Sequence, residues 1–326
     1  MYYFCTLFDS LYLSRGLTMY DSLKEHSPGF HLFIFAFDDL TNEILLNLKL
    51  DDVTVISLTE FETDELKKVK EDRSKAEYCW TCTPSVISYV LEKFKVQHCT
   101  YIDSDLYFFS DPGVLVSELQ ANNKNVLITE HRYSLLPRLY EEKRAGRFCV
   151  QFVTFLNQDN SLKVLDRWRK QCIDWCYARH EDGKFGDQKY LEEWPGLYSN
   201  VHILNHPGGG VAPWNIQSYK LSYQGSLIKG KTKKSNIIFN LVFYHFQYVK
   251  FLKNGAFDIG WYCIPTYIKR MLYEPYLKRV SDKEQMLQKI DSRYTLHYHE
   301  NNSAGLKNIL KKGIKEFTLY NIMKLI

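Results

Sequence analysis

Asp103-Ser104-Asp105 places two carboxylates one residue apart where a β-forming run ending in Tyr101 and Ile102 stops and a second apolar run, Leu106 to Phe109, begins. Ligands of open α/β sheets collect at the carboxyl ends of strands, and two hard oxygen donors there suit a divalent cation shared with a substrate phosphate. The competing reading is a capped turn, which aspartate and serine commonly close. Three further stretches have chemistry to offer. Asp187-Gln188 follows the polar turn Glu181 to Gly186 and begins a short helix, so it is either a reactive carboxylate-amide pair or a helix cap. His206-Pro-Gly-Gly-Gly-Val-Ala-Pro-Trp-Asn215 offers bare backbone N–H groups that approach phosphate oxygens, or else makes a flexible hairpin. His245 ends the apolar run Ile237 to Tyr244 and becomes a ligand only with a partner nearby.

Such groups need a scaffold that gathers strand ends, and the sequence alternates strand and helix from its start. Strands are expected at Met1 to Phe8, His31 to Phe37 and Val53 to Ser57, with helices between them from Ser14, as cap, to His26 and from Thr41 to Leu48. This is the doubly wound α/β pattern. A charged helical stretch, Glu60 to Lys75, precedes a helix that Pro84 is expected to start and that runs to Phe94. Asp111-Pro112 opens another helix, and Val126 to Thr129, Gln151 to Leu156 and Val201 to Leu204 read as strands, with a long amphipathic helix over Ser161 to Arg179. Residues 130–149, with Arg132, Arg138, Arg144 and Arg147, read as an irregular segment able to fold over a site. Tyr219 to Gly230 reads as a hairpin in a smaller appended region. From Tyr262 onward the pattern is helical, and the last helix, Ala304 to Tyr320, is basic and amphipathic; it either lies on an anionic membrane surface or packs against the domain. The expected division is a catalytic domain over 1–260 and a helical region over 261–326.

Composition narrows the class. Charged residues make up 25% and apolar residues 45% of the 326, which excludes a disordered chain, and a net charge of +4 does not point to nucleic acid. Aromatic residues at 15% fill a core and leave some to line a groove. Met1 to Phe8 has no targeting-peptide character and no apolar run reaches membrane-span length, so a cytoplasmic protein is expected, at the inner face of a membrane if the last helix docks there. Cys79-Trp-Thr-Cys82 and the Cys172 to Cys176 pair are weighed as metal or redox motifs, but buried thiols on helices are the expectation.

In chain order, Thr6-Leu7 with Tyr12, Arg15-Gly16 and Ser22-Leu23, then Tyr101-Ile-Asp-Ser-Asp105, Gly186-Asp-Gln188, Ala212-Pro-Trp-Asn215 and Tyr244-His-Phe246 resemble the GT-A fold nucleotide-sugar glycosyltransferases of family 8, the group of glycogenin and the bacterial lipopolysaccharide glycosyltransferases. The resemblance covers residues 1–250. It implies a mostly parallel, Rossmann-like central sheet flanked by helices. It implies that Thr6 and Tyr12 hold the nucleobase and ribose, that Arg15 approaches the donor, and that Ser104, Gly209 and Trp214 complete the donor site. Asp103 and Asp105 would bind Mn²⁺ or Mg²⁺ with His245 as the third ligand, an imidazole favouring Mn²⁺. Asp187 and Gln188 would lie beside the anomeric carbon. His206, Gly209, Pro213 and Trp214 match another spacing of the family, but Ala212 stands at its lysine position, leaving Lys250 or an arginine of residues 130–149 as the substitute. Of the two histidines, His245 is preferred because it ends a strong strand.

The implied activity is transfer of a sugar from a nucleotide-sugar donor, UDP-linked by expectation, to a glycan or lipid-linked acceptor of cell-surface polysaccharide or lipopolysaccharide, with retention of configuration. A sugar nucleotidyltransferase is the rival on a similar sheet, but Leu7 to Ser14 lacks the glycine-rich loop it would carry. The rival of another class is a catalytically silent nucleotide- or glycan-binding scaffold.

Overall fold

The computed structural model describes residues 1–253, 255–296, 298–299 and 321–325. The chain opens with β1 (Tyr2–Phe8), α1 (Leu13–His26), β2 (Phe30–Ala36), α2 (Asp39–Leu48) and β3 (Val53–Ser57). The short α3 (Leu58–Phe61) and α4 (Asp64–Lys70) lead to the long α5 (Lys75–Phe94) and to β4 (His98–Ile102). Then come β5 (Leu106–Phe108), α6 (Gly113–Ala121), β6 (Val126–Glu130), the single turns α7 (Leu135–Pro137) and α8 (Lys143–Ala145), β7 (Phe148–Leu156), α9 (Asp159–Asp174), α10 (Trp194–Leu197) and β8 (Val201–Ile203).

Seven of these strands form one sheet in the order β3-β2-β1-β4-β7-β6-β8, and only β7 runs against the others. The expected mostly parallel α/β sheet is therefore present. β2 reads Phe-His-Leu-Phe-Ile-Phe-Ala and is buried along nearly its whole length, as a strand covered by helices on both faces must be. One apolar cluster joins Phe33, Phe35 and Val153 to α5 and α9; a second, on the opposite face, joins Phe4, Ile34 and Phe152 to α1, α2 and α6.

Local chemistry corrects two of the expected helix starts. Asp38, one of the acids after β2, caps α2 by accepting from the Thr41 N–H at 2.8 Å and also holds the Ser10 N–H at 2.9 Å. Ser14 is no cap; it lies inside α1, which begins after Tyr12. Pro84 does not start a helix but sits within α5, because Ser74 and Glu77 form a reciprocal capping box upstream and nucleate the helix there. The buried face of Tyr78, Cys82, Val86 and Val90 then carries the helix past the missing proline N–H.

The remaining described chain builds onto the carboxyl edge of the sheet. β9 (Tyr219–Gln224), β10 (Leu227–Thr232) and β11 (Ile238–Asn240) make a three-stranded antiparallel sheet, and β12 (Phe243–His245) pairs with β5. The run Ile237 to His245, expected as one strand, is thus two strands in different sheets. β13 (Lys250–Leu252) and β14 (Ala256–Asp258) follow, then the single turn α11 (Thr266–Ile268) and α12 (Glu274–Ile290). The region after Tyr262 is not helical throughout: β15 (Tyr298–His299) and β16 (Ile322–Lys324) pair with β13 and β14. The basic helix expected over Ala304 to Tyr320 lies outside the described residues. Helix α12 packs back on the site, with the Tyr276 ring stacked on Phe246 at 3.7 Å between centroids.

Candidate metal and donor site

β4 ends at Ile102, and the backbone turns through Asp103 to Asp105 with the Leu106 N–H donating to the Asp103 carbonyl at 3.3 Å. The turn hands the chain to β5, whose antiparallel register with β12 sets His245 opposite Leu106. The Phe246 N–H donates to the Asp105 carbonyl at 3.0 Å, and the His245 N–H to the Val211 carbonyl at 2.9 Å. A residue from the last part of the appended region is in this way fixed beside the two carboxylates. His245 Nε2 lies 3.0 Å from Asp105 Oδ1 and 3.7 Å from Asp103 Oδ2. One ligand atom from each of the three residues falls within 4.8 Å of the others.

These groups fit a divalent cation. Burial, with Asp105 adding repulsion and His245 partly offsetting it, pushes Asp103 up to about 6, so ionising both carboxyls here is costly and a bound cation would relieve that cost. Burial would raise Asp105 as well, but the imidazole and the Arg15 guanidinium hold it below its ordinary value. His245 is raised well above its own, Asp105 outweighing burial. On the other side of the ring, Nδ1 hydrogen-bonds Gln151 Oε1 at 2.9 Å, which directs Nε2 at the carboxylates, as supporting groups around metal-binding histidines do.

His206 is elsewhere. Its backbone N–H donates to Glu118 Oε2 at 3.1 Å, its Nδ1 accepts from the Gly208 N–H at 3.1 Å, and Glu118 also holds His202 Nε2 at 2.5 Å. Of the two candidate histidines, only His245 is brought to Asp103 and Asp105.

Asp187 is 6% exposed, and its carboxyl is pushed up to about 8, by burial first and the Asp103 charge second. The Trp168 indole N–H fixes its backbone by donating to the carbonyl at 2.9 Å. Gln188 begins a short 3₁₀ turn and its amide donates to the Ala145 carbonyl at 2.7 Å, tying it to the segment before β7. That segment is less irregular than expected, with helical turns from Leu135 to Ala145. Of its arginines, Arg138 and Arg147 pair with Glu142 and Glu130 and Arg144 with the buried Glu141, whereas Arg132 donates to the Gly209 carbonyl.

Thr6 is fully buried within β1, and Ser104 is buried in the turn between the acids. Tyr12, 42% exposed, lies at the start of α1 under the Arg15 guanidinium, 4.7 Å from its ring centroid. Arg15 is 7% exposed and spans two elements, donating to the Leu11 carbonyl at 3.0 Å and the Val249 carbonyl at 2.8 Å. Trp214 is buried 5.2 Å from the His245 ring, its indole N–H held by the His131 carbonyl at 2.8 Å. The three glycines pack closely against protein. A Cβ on Gly208 would meet the Asn240 carbonyl oxygen at 2.0 Å, and one on Gly209 would meet Leu204 at 2.7 Å. Gly210 adopts φ +76°, a conformation glycine takes at no steric cost. Lys250 lies over the Tyr248 ring at 4.5 Å.

Sequence reasoning missed Gln151. A lone amide in the middle of Phe-Cys-Val-Gln-Phe-Val-Thr-Phe-Leu, a strand buried almost throughout, was the available signal, because a buried polar group needs a partner. It also missed a cavity of about 240 Å³ beyond the ends of β1 and β2, lined by Asp9, Phe37, Asp38, Arg73, Tyr78 and Cys79 among others.

A mostly parallel α/β sheet with two carboxylates and an imidazole gathered at its carboxyl edge defines the class. By sequence, the chain belongs to the family of the uncharacterized protein YfnD of Bacillus subtilis (strain 168), with 31% identity over 293 residues, 87% of this chain and 91% of that protein. It is also 28% identical over 252 residues to the uncharacterized protein YfnF of the same organism, covering 75% of this chain and 80% of that one. No protein-family model matches. Among solved structures, the galactosyltransferase LgtC in complex with donor and acceptor sugar analogs is similar at TM-score 0.49 and 11% identity, over 86% of this chain and 95% of that one. Mouse xyloside xylosyltransferase 1 is similar at TM-score 0.46 and 14% identity, over 76% and 98%. These scores are too low to carry the functional reading, which rests on the site itself.

Proposed function

We propose that this protein is a metal-dependent GT-A glycosyltransferase, similar to family 8, which moves a sugar from a nucleotide-sugar donor, a UDP-sugar by preference, to a glycan or lipid-linked acceptor in cell-surface polysaccharide or lipopolysaccharide synthesis. The observation that carries this reading is the Asp103, Asp105 and His245 cluster at the end of β4. Asp103, Asp105 and His245 Nε2 would hold Mn²⁺ or Mg²⁺, and a bound cation supplies stabilisation of the negative charge that builds on a departing diphosphate. Mn²⁺ is favoured by the imidazole.

The other residues have roles of their own in this reading. In this reading the cavity beyond β1 and β2 takes the nucleoside, Arg15 holds the loop before α1 in place, Tyr12 and Ser104 add to the donor site, and Gly209 and Trp214, packed within the protein, support it from behind. Thr6, expected to hold the nucleobase or ribose, is fully buried within β1 and has no surface to offer the nucleotide. Asp187 is a carboxyl that burial and the Asp103 charge keep protonated near neutral pH, and it would give up its proton more readily once a cation offset Asp103. Gln188, held through Ala145, orients the sugar. We read the domain boundary near residue 260 as separating this machinery from a C-terminal region that braces it through α12.

Calorimetric titration of UDP with and without Mn²⁺, repeated on Asp105→Asn, tests the reading. Binding that requires Mn²⁺ and falls at least tenfold in the variant supports it, and release of free sugar from a UDP-sugar then distinguishes an enzyme from a silent binder. The silent alternative is favoured by one observation, Ala212 at the position where the family carries a lysine. Absence of binding to any nucleoside diphosphate with the metal present would overturn the donor assignment.

A further inference from the structure

Charge is distributed very unevenly along this chain. Residues 194–257 contain seven lysines and no aspartate, glutamate or arginine, a formal +7 against +4 for the whole protein, so the remainder is net negative. Five of the seven lie on one structural feature, the β9-β10-β11 sheet and its last turn. Tyr219, Leu221, Ile228 and Phe239 point into the core from this sheet. Strand alternation turns the intervening residues outward.

The registers then define two rungs on the outer face. One crosses Ile238, Lys231 and Lys220 directly, and the next crosses Asn240, Lys229 and Ser222. Lys233 and Lys234 extend the face in the turn before β11. Lys220 and Lys231 stand directly opposite each other, an arrangement that repels in isolation. Among the described residues, none of Lys220, Lys229, Lys231, Lys233 or Lys234 has a carboxylate within ion-pair distance. Some lysines elsewhere on the surface are paired, as Lys24 is with Asp51 and Lys283 with Asp21, but no carboxylate of residues 194–257 exists to pair with these five. Ile237 and Ile238 project from the same edge at 51% and 70% exposure.

We propose that this face is a docking surface for an anionic lipid bilayer. The lysines supply attraction to acidic headgroups, and the two isoleucines supply side chains that gain by leaving water at the interface. A soluble polyanion would satisfy the lysines but leaves the isoleucines without a partner, and that decides for the membrane. No described helix is long and apolar enough to cross a membrane, so attachment here is peripheral for the described part of the chain.

The test is flotation of the full-length protein with phosphatidylcholine vesicles, with and without about a third phosphatidylglycerol, at low and high salt. The expected result is recovery with the anionic vesicles only, lost at high salt. Replacing Lys220, Lys229, Lys231 and Lys233 together by glutamine should lower recovery more than tenfold, since each lysine near an anionic surface is worth on the order of fivefold. Circular dichroism and UDP binding should stay as in the parent. Ile238→Ser alone should weaken vesicle binding while leaving binding to soluble polyphosphate unchanged. Equal vesicle binding by the fourfold variant overturns the proposal, as does an Ile238→Ser protein that floats like the parent. Replacing Lys307, Lys311 and Lys315 is the control for the C-terminal segment, and loss of all binding from that change alone would also overturn it.

Discussion

Gln151 Oε1 accepts the hydrogen bond of His245 Nδ1 at 2.9 Å, and both side chains are buried. The same Gln151 receives the Asp103 N–H at its backbone carbonyl, 3.1 Å away, so one residue of β7 fixes two members of the candidate metal cluster. Its amide nitrogen has no partner among the described atoms, which leaves the carbonyl end committed to the histidine.

Gln151→Leu should therefore weaken Mn²⁺-dependent UDP binding by about 10- to 100-fold, the usual cost of removing a group that orients a metal ligand. Gln151→Glu retains an acceptor toward Nδ1 and should recover much of the loss. Titration calorimetry on the two variants reads the difference. A Gln151→Leu protein with unchanged Mn²⁺ dependence would remove the role from this residue.

Asp187 shows the sign of a carboxyl that folding keeps protonated. Its folded value near 8 lies above the ordinary 3.8, so the unfolded chain releases the proton first, and stability falls as pH rises from about 4 toward 8. Asp187→Asn should raise metal-free stability at pH 7 by about 1–4 kcal/mol while lowering sugar transfer by at least tenfold. Chemical denaturation across that pH range, set beside a donor-hydrolysis assay, checks both halves.

Histidines give the opposite slope. Burial pushes His98 down to about 4 and His131 down to about 3, so both stay neutral in the fold while the unfolded chain takes up protons below about 6.5. Stability should decline as pH falls from 6.5 to 4, by about 1–3 kcal/mol for the partly buried His98. His98→Gln should flatten part of that decline in a pH series of melting curves.

Gly208→Ala has no room for its methyl group, which would sit 2.0 Å from the Asn240 carbonyl oxygen. The expected cost is about 2–4 kcal/mol, because the contact is with backbone and not with a flexible side chain. Since Gly208 O also accepts the Val242 N–H at 2.9 Å just before β12, Mn²⁺ binding should weaken with it. Differential scanning calorimetry and UDP titration on the same preparation test the link.

How much of this was legible depended on whether the signal was local. The end of β4 at Asp103 and Asp105 is readable because a strand of β-formers stops at carboxylates, and β2 because it is apolar except at His31. Pro84 looks like the start of α5, but the capping box at Ser74 and Glu77 lies ten residues upstream inside a charged stretch, and it sets the true start. The run Ile237 to His245 looked continuous, yet it breaks where Val242 turns to bond Gly208, a contact no local pattern encodes. Likewise Gln151 was invisible as a site residue until the fold placed it behind His245. The strands β15 and β16 were hidden because two or three residues pair with partners far away in sequence.

Arg15 joins the loop after β1 to the Val249 carbonyl, and β5 pairs with β12, which lies far later in the sequence. During synthesis, then, the two aspartates emerge long before the histidine that lies beside them in the fold. A chain ending before β12 would leave β5 without the strand it pairs with among the described residues, and the two acids without the imidazole beside them. If the proposed function holds, competence for cation binding arrives only after residue 245 has been made, and a half-made chain would neither hold the cation nor consume a nucleotide-sugar donor.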